Sequence, residues 1–378
     1  MRFVQQYARI PRSIRYGFWL VFLPAIIAGF WIWTVRGYGP YAFGLHSSIA
    51  PSLRVFFYNQ SKHRDPVPGC WYDAGDYVVF LNRNAEALWY LSIAYREARQ
   101  PAVKADLMLV IDQQLMCVQE MISQNWKQFR DMKSHGPSLP PVLNELFFPQ
   151  TDYQLRVDEG KDVYLLLGLT MSNIGRKTEA ESYFAEARLR TNAMVSEQCC
   201  EEGPHANTAL EMSALESIAG WREPPTLQVW DLSFPTVALL ESENNAPIRD
   251  LLGTVSKEWQ ENGIPFQYLG GNYDIAGTIA LERLYEARTN DAAFASLSDQ
   301  LMRYLEGKND KKINFTKIKK PFHPCGFFGW CRLSGTLVNG VDTSGTFQES
   351  GYLRWRFTEI QLVGQAKYVL ARVLFEGL

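Results

Sequence analysis

The sequence predicts an all-α fold behind one N-terminal membrane-spanning helix. Three observations carry that prediction. Apolar residues recur at helical spacing through most of the chain beyond residue 50. Strand-like alternation is scarce. An apolar run near the start, 17–35, is preceded by Arg2, Arg9, Arg12 and Arg15 and by no acidic residue.

The apolar run has the length of a spanning helix, roughly 20 residues. Its basic flank belongs in the cytoplasm, which sends the C-terminal bulk across an inner (plasma) membrane to a periplasmic or extracellular location. Trp31, Trp33 and Tyr38 suit an interfacial belt at the far face, and Pro24 is tolerated inside such a helix. A cleavable signal peptide is the rival. It would have a shorter apolar stretch, and no small-x-small cleavage site follows. The expected organisation is a basic tail at 1–15, the anchor at 16–36, a Gly/Tyr-rich linker at 37–48 and one domain over 49–378.

Within that domain the helical spacing falls on 85–98, 105–122, 163–174, 178–190, 206–219, 229–240, 248–259, 273–287, 292–305 and 357–374. Pro, Gly and Asn clusters punctuate the series, as at Gly136-Pro137, Glu223-Pro224-Pro225 and Asn262-Gly263. Antiparallel helices of this kind close into a toroid or stack as a solenoid. No fixed period of about 34 to 45 residues holds, which ranks the solenoid second. The stretch 308–349 is irregular but rich in glycine and aromatic residues, so an ordered surface feature is expected. Its lysines form a solvated face or touch anionic lipid or an acidic polymer.

With 378 residues and 47 % hydrophobic composition the chain is long enough for a large core. A net charge of −2 gives no reason to propose nucleic acid as a partner. Six cysteines, Cys70, Cys117, Cys199, Cys200, Cys325 and Cys331, lack the paired CxxC spacing of a zinc site. In an oxidising compartment Cys325 and Cys331, which bracket a short loop, are the leading disulfide candidates. Spacing alone does not fix the connectivity.

The chemistry concentrates in Gly69-Cys70-Trp71-Tyr72-Asp73-Ala74-Gly75-Asp76-Tyr77-Val78-Val79-Phe80. Two aspartates three residues apart face one cavity if the stretch is a loop entering a helix. One polarises a water while its neighbour orients it. The rings of Trp71 and Tyr72 are candidate stacking faces for a sugar. Loop or cap chemistry is the plainer use of such aspartates, with Gly75 serving the turn.

This stretch closely resembles the GGWYDAGDYVKF signature of glycoside hydrolase family 9, the inverting cellulases. The resemblance implies an (α/α)6 toroid of the six-hairpin glycosidase type. It also implies a reaction with two carboxyl groups about 6.5 to 9.5 Å apart, with water between them. One carboxyl is kept protonated as the acid while the other stays ionised as the base. Near the end, Thr358-Glu359-Ile360-Gln361-Leu362-Val363-Gly364-Gln365-Ala366 onward is similar to the family's NEVATDYNAGFTGALA, with Ala366 and Ala371 matching when Glu359 takes the glutamate's place. By that carry-over Asp76 is the general base, Asp73 helps hold the nucleophilic water and Glu359 is the general acid. A helix N-terminal glutamate favoured by the macrodipole is the plainer role for Glu359.

Two further segments are similar to the family. Ser52 to Gln60 resembles its first helix. Tyr304-Leu305-Glu306-Gly307-Lys308-Asn309 resembles YxLGxNP, after which the family has a loop ending PHHR. Here Pro321-Phe322-His323-Pro324-Cys325-Gly326 keeps one histidine and lacks the second histidine and the arginine. His323 is therefore a candidate substrate contact, and ordinary cellulose binding is placed in doubt.

The resemblance implies hydrolysis of a β-linked glucan or a related exported polysaccharide. The carboxylate chemistry requires no cofactor, and no Asp-rich loop compels a metal. Membrane-bound members accompany cellulose synthesis, so polysaccharide synthesis or export machinery is an expected partner beside the lipid bilayer. The rivals are a non-catalytic glycan-binding relative, which the altered PHHR segment favours, and a helical-repeat interaction protein on a membrane stalk.

Overall fold

The computed structural model describes residues 44–58, 60–61, 67–73, 78–130, 151–154, 161–197, 245–262, 271–318, 335–340, 347 and 360–378. The chain divides into a unit Met1–Gly44 and a unit Leu45–Leu378. The expected anchor at 16–36 lies outside the described residues, among which no helix is long and apolar enough to cross a membrane. The second unit takes hold of the chain at once. Leu45 is buried, and the Asp106 carboxylate accepts the backbone N–H groups of His46 and Ser47 at 3.0 and 2.8 Å.

The described part of this unit is mostly helical. In chain order it contains α1 (Ala50–Tyr58), β1 (Val78–Phe80), α2 (Leu81–Glu97), α3 (Pro101–Ser123), β2 (Trp126–Arg130), β3 (Thr151–Gln154), α4 (Lys161–Asn173), α5 (Lys177–Glu197), α6 (Ala246–Asn262), α7 (Gly271–Thr289), α8 (Ala295–Leu305) and α9 (Leu362–Phe375). Most expected helices are present within a few residues of their expected bounds. The segments 206–219 and 229–240 lie outside the described residues.

Packing sorts the helices into two kinds. In α7, 13 of 19 residues are buried, and α2 and α9 are buried on nearly every side. In α3 only 10 of 23 are buried, the ordinary pattern of a helix with one face to solvent. The buried helices follow one another through α4–α2, α2–α9 and α9–α7, while the antiparallel pairs α2–α3, α4–α5 and α7–α8 carry the half-exposed members outside. Burial on several faces of a helix needs neighbours on several sides, and these contacts supply them.

Three short strands depart from the all-α expectation. They form an antiparallel sheet in the order β1-β2-β3, with Val78 opposite Arg130 and Phe129 opposite Asp152. A strand of three residues shows no alternation, so periodicity does not detect β1. Its Val78 and Val79 are β-branched and suit a pleated surface once a partner strand is supplied.

The Tyr304 to Asn309 segment is the end of α8 and the turn that follows. Asn309 Nδ2 donates to the carbonyls of Tyr304 and Ile313 at 2.8 and 2.7 Å, and its Oδ1 accepts from Ile313 N–H. The turn then runs into Phe315, which is fully buried. Burial pushes the Tyr368 phenol up to about 12. Glu282 on α7 is an unusual core residue, since its side chain is 0 % exposed and neither carboxylate oxygen has a hydrogen-bond partner. Arg283 Nε lies 3.4 Å away without hydrogen-bond alignment. Burial raises this carboxyl above its ordinary range, against the opposing pull of the Arg283 charge.

Candidate active site

The paired-aspartate stretch begins as a tightly pinned loop. Ser61 holds its approach. Its backbone N–H donates to Cys70 O at 2.6 Å, its hydroxyl donates to Val67 O at 2.7 Å, and Cys70 N–H donates back to that hydroxyl at 2.9 Å. Trp71 then pairs with Gln60 in an isolated antiparallel bridge.

Asn84, one turn into α2 and 0 % exposed, reads both sides of the Trp71 peptide unit. Its Oδ1 accepts from Trp71 N–H at 3.0 Å, and its Nδ2 donates to Trp71 O at 3.0 Å and to Phe80 O at 2.8 Å. Gln114 of α3 donates to the same Oδ1, which completes the hydrogen-bonding capacity of this amide. A disulfide joins Cys70 to Cys117, one turn further along α3. The loop leading to Asp73 is thus fastened to two helices by amide hydrogen bonds and one covalent link.

Asp73 itself is half-buried, and its N–H donates to Val78 O at 2.7 Å. That bond closes the loop 73–78 at its base. The chain therefore passes from loop to strand β1 before it enters α2, rather than from loop directly to helix. Three extended residues intervene because Val78, Val79 and Phe80 pair with β2.

The rings of Trp71 and Tyr72 are placed otherwise than a stacking role requires. Each is 1 % exposed, and Trp71 packs at 4.7 Å between ring centroids against Phe56 of α1. The Gln60 bridge and the Asn84 clamp orient this backbone so that both rings enter the core. Their aromatic area serves packing there. Asp76, His323 and Glu359 lie outside the described residues, as do Cys199, Cys200 and the Cys325–Cys331 pair.

The carboxyl-terminal segment meets the aspartate loop directly. Leu362 N–H donates to Asp73 O at 2.7 Å. Gln361, extended at φ −99° and ψ 140°, precedes the first turn of α9 and offers no side-chain cap. The Asp73 carbonyl takes an N–H that the helix start leaves without an intrahelical partner. Ile360, 1 % exposed, anchors the chain just before. The expected helix start at 357 is corrected to Leu362, because Gln361 and Leu362 direct their N–H groups to tertiary partners.

A second strap lies alongside. Residues 335–340 run through the interior with Val338 and Asn339 fully buried. Gln365 accepts Leu337 N–H at 3.0 Å and donates to Ser52 O at 3.0 Å, while Asn272 donates to Val338 O at 3.0 Å. Gly340, at φ +104°, brings its backbone so close to Asn272 that a Cβ would sit 2.6 Å from Cγ. Only glycine combines that angle with that approach. Tyr273, 4 % exposed, joins the two segments. Its hydroxyl accepts Gln361 N–H at 2.9 Å and lies 3.4 Å from Leu337 O, to which it donates.

Sequence reasoning missed Asn84, Gln114, Ser61 and Tyr273, none of which stands in a recognised motif. It also missed the Cys70–Cys117 pairing, for which a signal was present. Cys70 stands where the signature has its second glycine, and Cys117 lies on the buried face of α3.

Comparison with known proteins identifies the class of fold. No protein-family model matches the chain, and no curated protein matches it. Solved structures do, and they are cellulases and family 9 glycoside hydrolase endoglucanases, whose fold this chain shares. The cellulase CEL9M of C. cellulolyticum superposes with a TM-score of 0.63 at 15 % identity, covering 89 % of this chain and 98 % of that one. Endoglucanase CelQ from Clostridium thermocellum, complexed with cellotetraose, gives 0.67 at 15 % identity over 88 % of this chain and 70 % of that one. The family 9 endoglucanase J30 gives 0.65 at 14 % over 89 % and 85 %.

Proposed function

We propose that this chain is a divergent family 9 glycoside hydrolase with a complete (α/α)6 ring, and that it inverts the anomeric centre of a β-linked glucan or related polysaccharide. The observation that carries the proposal is the 2.7 Å hydrogen bond from Leu362 N–H to Asp73 O. Asp76 follows Asp73 by three residues, and Glu359 precedes Leu362 by three. Three extended residues span at most about 11 Å, so chain connectivity keeps both carboxylates near one junction. A family 9 site needs its base and acid across one water, about 6.5 to 9.5 Å apart.

In this reading Asp76 removes a proton from water, and that water attacks the anomeric carbon. Asp73 orients the same water. Glu359 gives its proton to the departing glycosidic oxygen. Related folds crystallised with cellobiose and cellotetraose support a β-glucan as substrate class. The basic-flanked apolar segment at 16–36 anchors the domain, with the catalytic side periplasmic or extracellular. The buried Cys70–Cys117 disulfide supports an oxidising compartment. Tethering at the membrane suits trimming of a polymer during its synthesis or export.

The test is reducing-end release from a panel of β-glucans, with the anomer of the first product read by NMR. Asp76→Ala and Glu359→Ala are each expected to lower kcat by about 10² to 10⁴-fold. Equal rates in wild type and both variants would remove the enzymatic assignment. A product that keeps its anomeric configuration would remove inversion.

A further inference from the structure

We infer that Tyr273 is a positioning residue for the proposed general acid, holding the chain that carries Glu359 through its phenol on α7. The inference rests on the hydrolase reading above and adds a residue that no motif points to.

Three observations lead to it. When Glu359 is laid on the glutamate of NEVATDYNAGFTGALA, the tyrosine five residues on falls at Gly364, which has no side chain. The Tyr273 ring occupies the space beside that glycine. A Cβ built on Gly364 would lie 2.2 Å from both Cγ and Cδ1 of Tyr273. The ring therefore reaches against the α9 backbone only because residue 364 is glycine. Its hydroxyl accepts the N–H of Gln361, two residues after Glu359, and reaches Leu337 O on the buried strap.

One side chain thus ties α7, the 335–340 strap and the entry to α9 together. Where the motif has a tyrosine this chain has Gly364, and a tyrosine ring from α7 lies beside it. Its place is paired with an absence of side chain at 364. Without the hydroxyl, Gln361 N–H loses its acceptor in a partly buried setting, which weakens the tie at the entry to α9. The chain two residues beyond Glu359 is then no longer tied to α7. Misplacement by about 1 Å costs up to about 10²-fold in rate.

The experiment compares wild type with Tyr273→Phe, Gly364→Ala and Glu359→Gln. Tyr273→Phe is expected to lower kcat about tenfold or more with KM within about twofold. It is also expected to displace the limb of the kcat pH profile that reports the acid. Hydrogen exchange at the Gln361 amide should quicken in the same variant. Gly364→Ala displaces the ring without removing the hydroxyl, and it should give the same signature by a second route. A merely structural Tyr273 would lower Tm and leave the pH limb in place. If wild type is active and Tyr273→Phe keeps its kcat, its pH limb and its Gln361 protection, this inference is overturned while the hydrolase reading stands. If wild type releases no reducing ends, the hydrolase reading falls and this assignment with it.

Discussion

The two segments that meet at the Asp73–Leu362 hydrogen bond are held by different chemistry. The loop before Asp73 is fastened by a disulfide and by a buried amide whose hydrogen-bonding capacity is fully used. The segment before Leu362 has no covalent tie among the described residues. It is held by one phenol, one buried isoleucine and a carbonyl from the opposite loop. The difference teaches where rigidity and where adjustability lie. The loop up to Asp73, fixed to two helices, is the rigid side. The entry to α9, held among the described residues by a few hydrogen bonds, is more easily shifted by one substitution.

Breaking the rigid side should give the largest loss of stability. Cys70→Ala with Cys117→Ala removes a cross-link spanning 47 residues and is expected to cost about 2–4 kcal/mol. Urea unfolding measures it. Dithiothreitol should lower the wild-type midpoint and leave the double variant unchanged.

Breaking the adjustable side should cost less stability and more activity. Gly364→Ala drives a methyl group into the Tyr273 ring, and overpacking of this kind costs about 1–3 kcal/mol. The contrast fails if the disulfide variant loses more turnover than Gly364→Ala while both remain folded.

The smallest effect is expected away from both sides. Glu282 has its carboxyl raised above the ordinary 4.5 by burial, so the folded state favours the protonated form. Its contribution to stability is complete below the ordinary carboxyl range and is lost as pH rises through the raised value. Glu282→Gln should therefore raise Tm at neutral pH and flatten the decline of Tm between acid and neutral pH. Its effect on kcat should be nil, because Glu282 lies about two and a half turns along α7 from Tyr273 and takes part in neither tie described above. A melt series across pH checks it.

How much of this was legible depended on the range of the interactions. The helices α2, α3 and α7 were readable because apolar spacing over 17 to 23 residues is a local signal. The resemblance to the family 9 fold was readable because the residues of 69–80 are neighbours in sequence. The start of α9 was not, since Gln361 and Leu362 take acceptors from residues 88 and 289 positions away in sequence. Trp71 and Tyr72 look like exposed stacking rings beside two aspartates, yet a bridge to Gln60 and a clamp from Asn84 turn them inward.

The order of apolar residues along this chain determined by itself that it would fold as packed helices, and the 69–80 stretch pointed to the family whose fold it shares. Only the tertiary structure decided which cysteines pair, which aromatic rings are core, and that residue 273 fills the space left open by residue 364. The physical reason is that periodicity and motifs are written in neighbouring residues, whereas a hydrogen-bond acceptor or a space for a ring is supplied by whatever part of the chain the fold brings alongside.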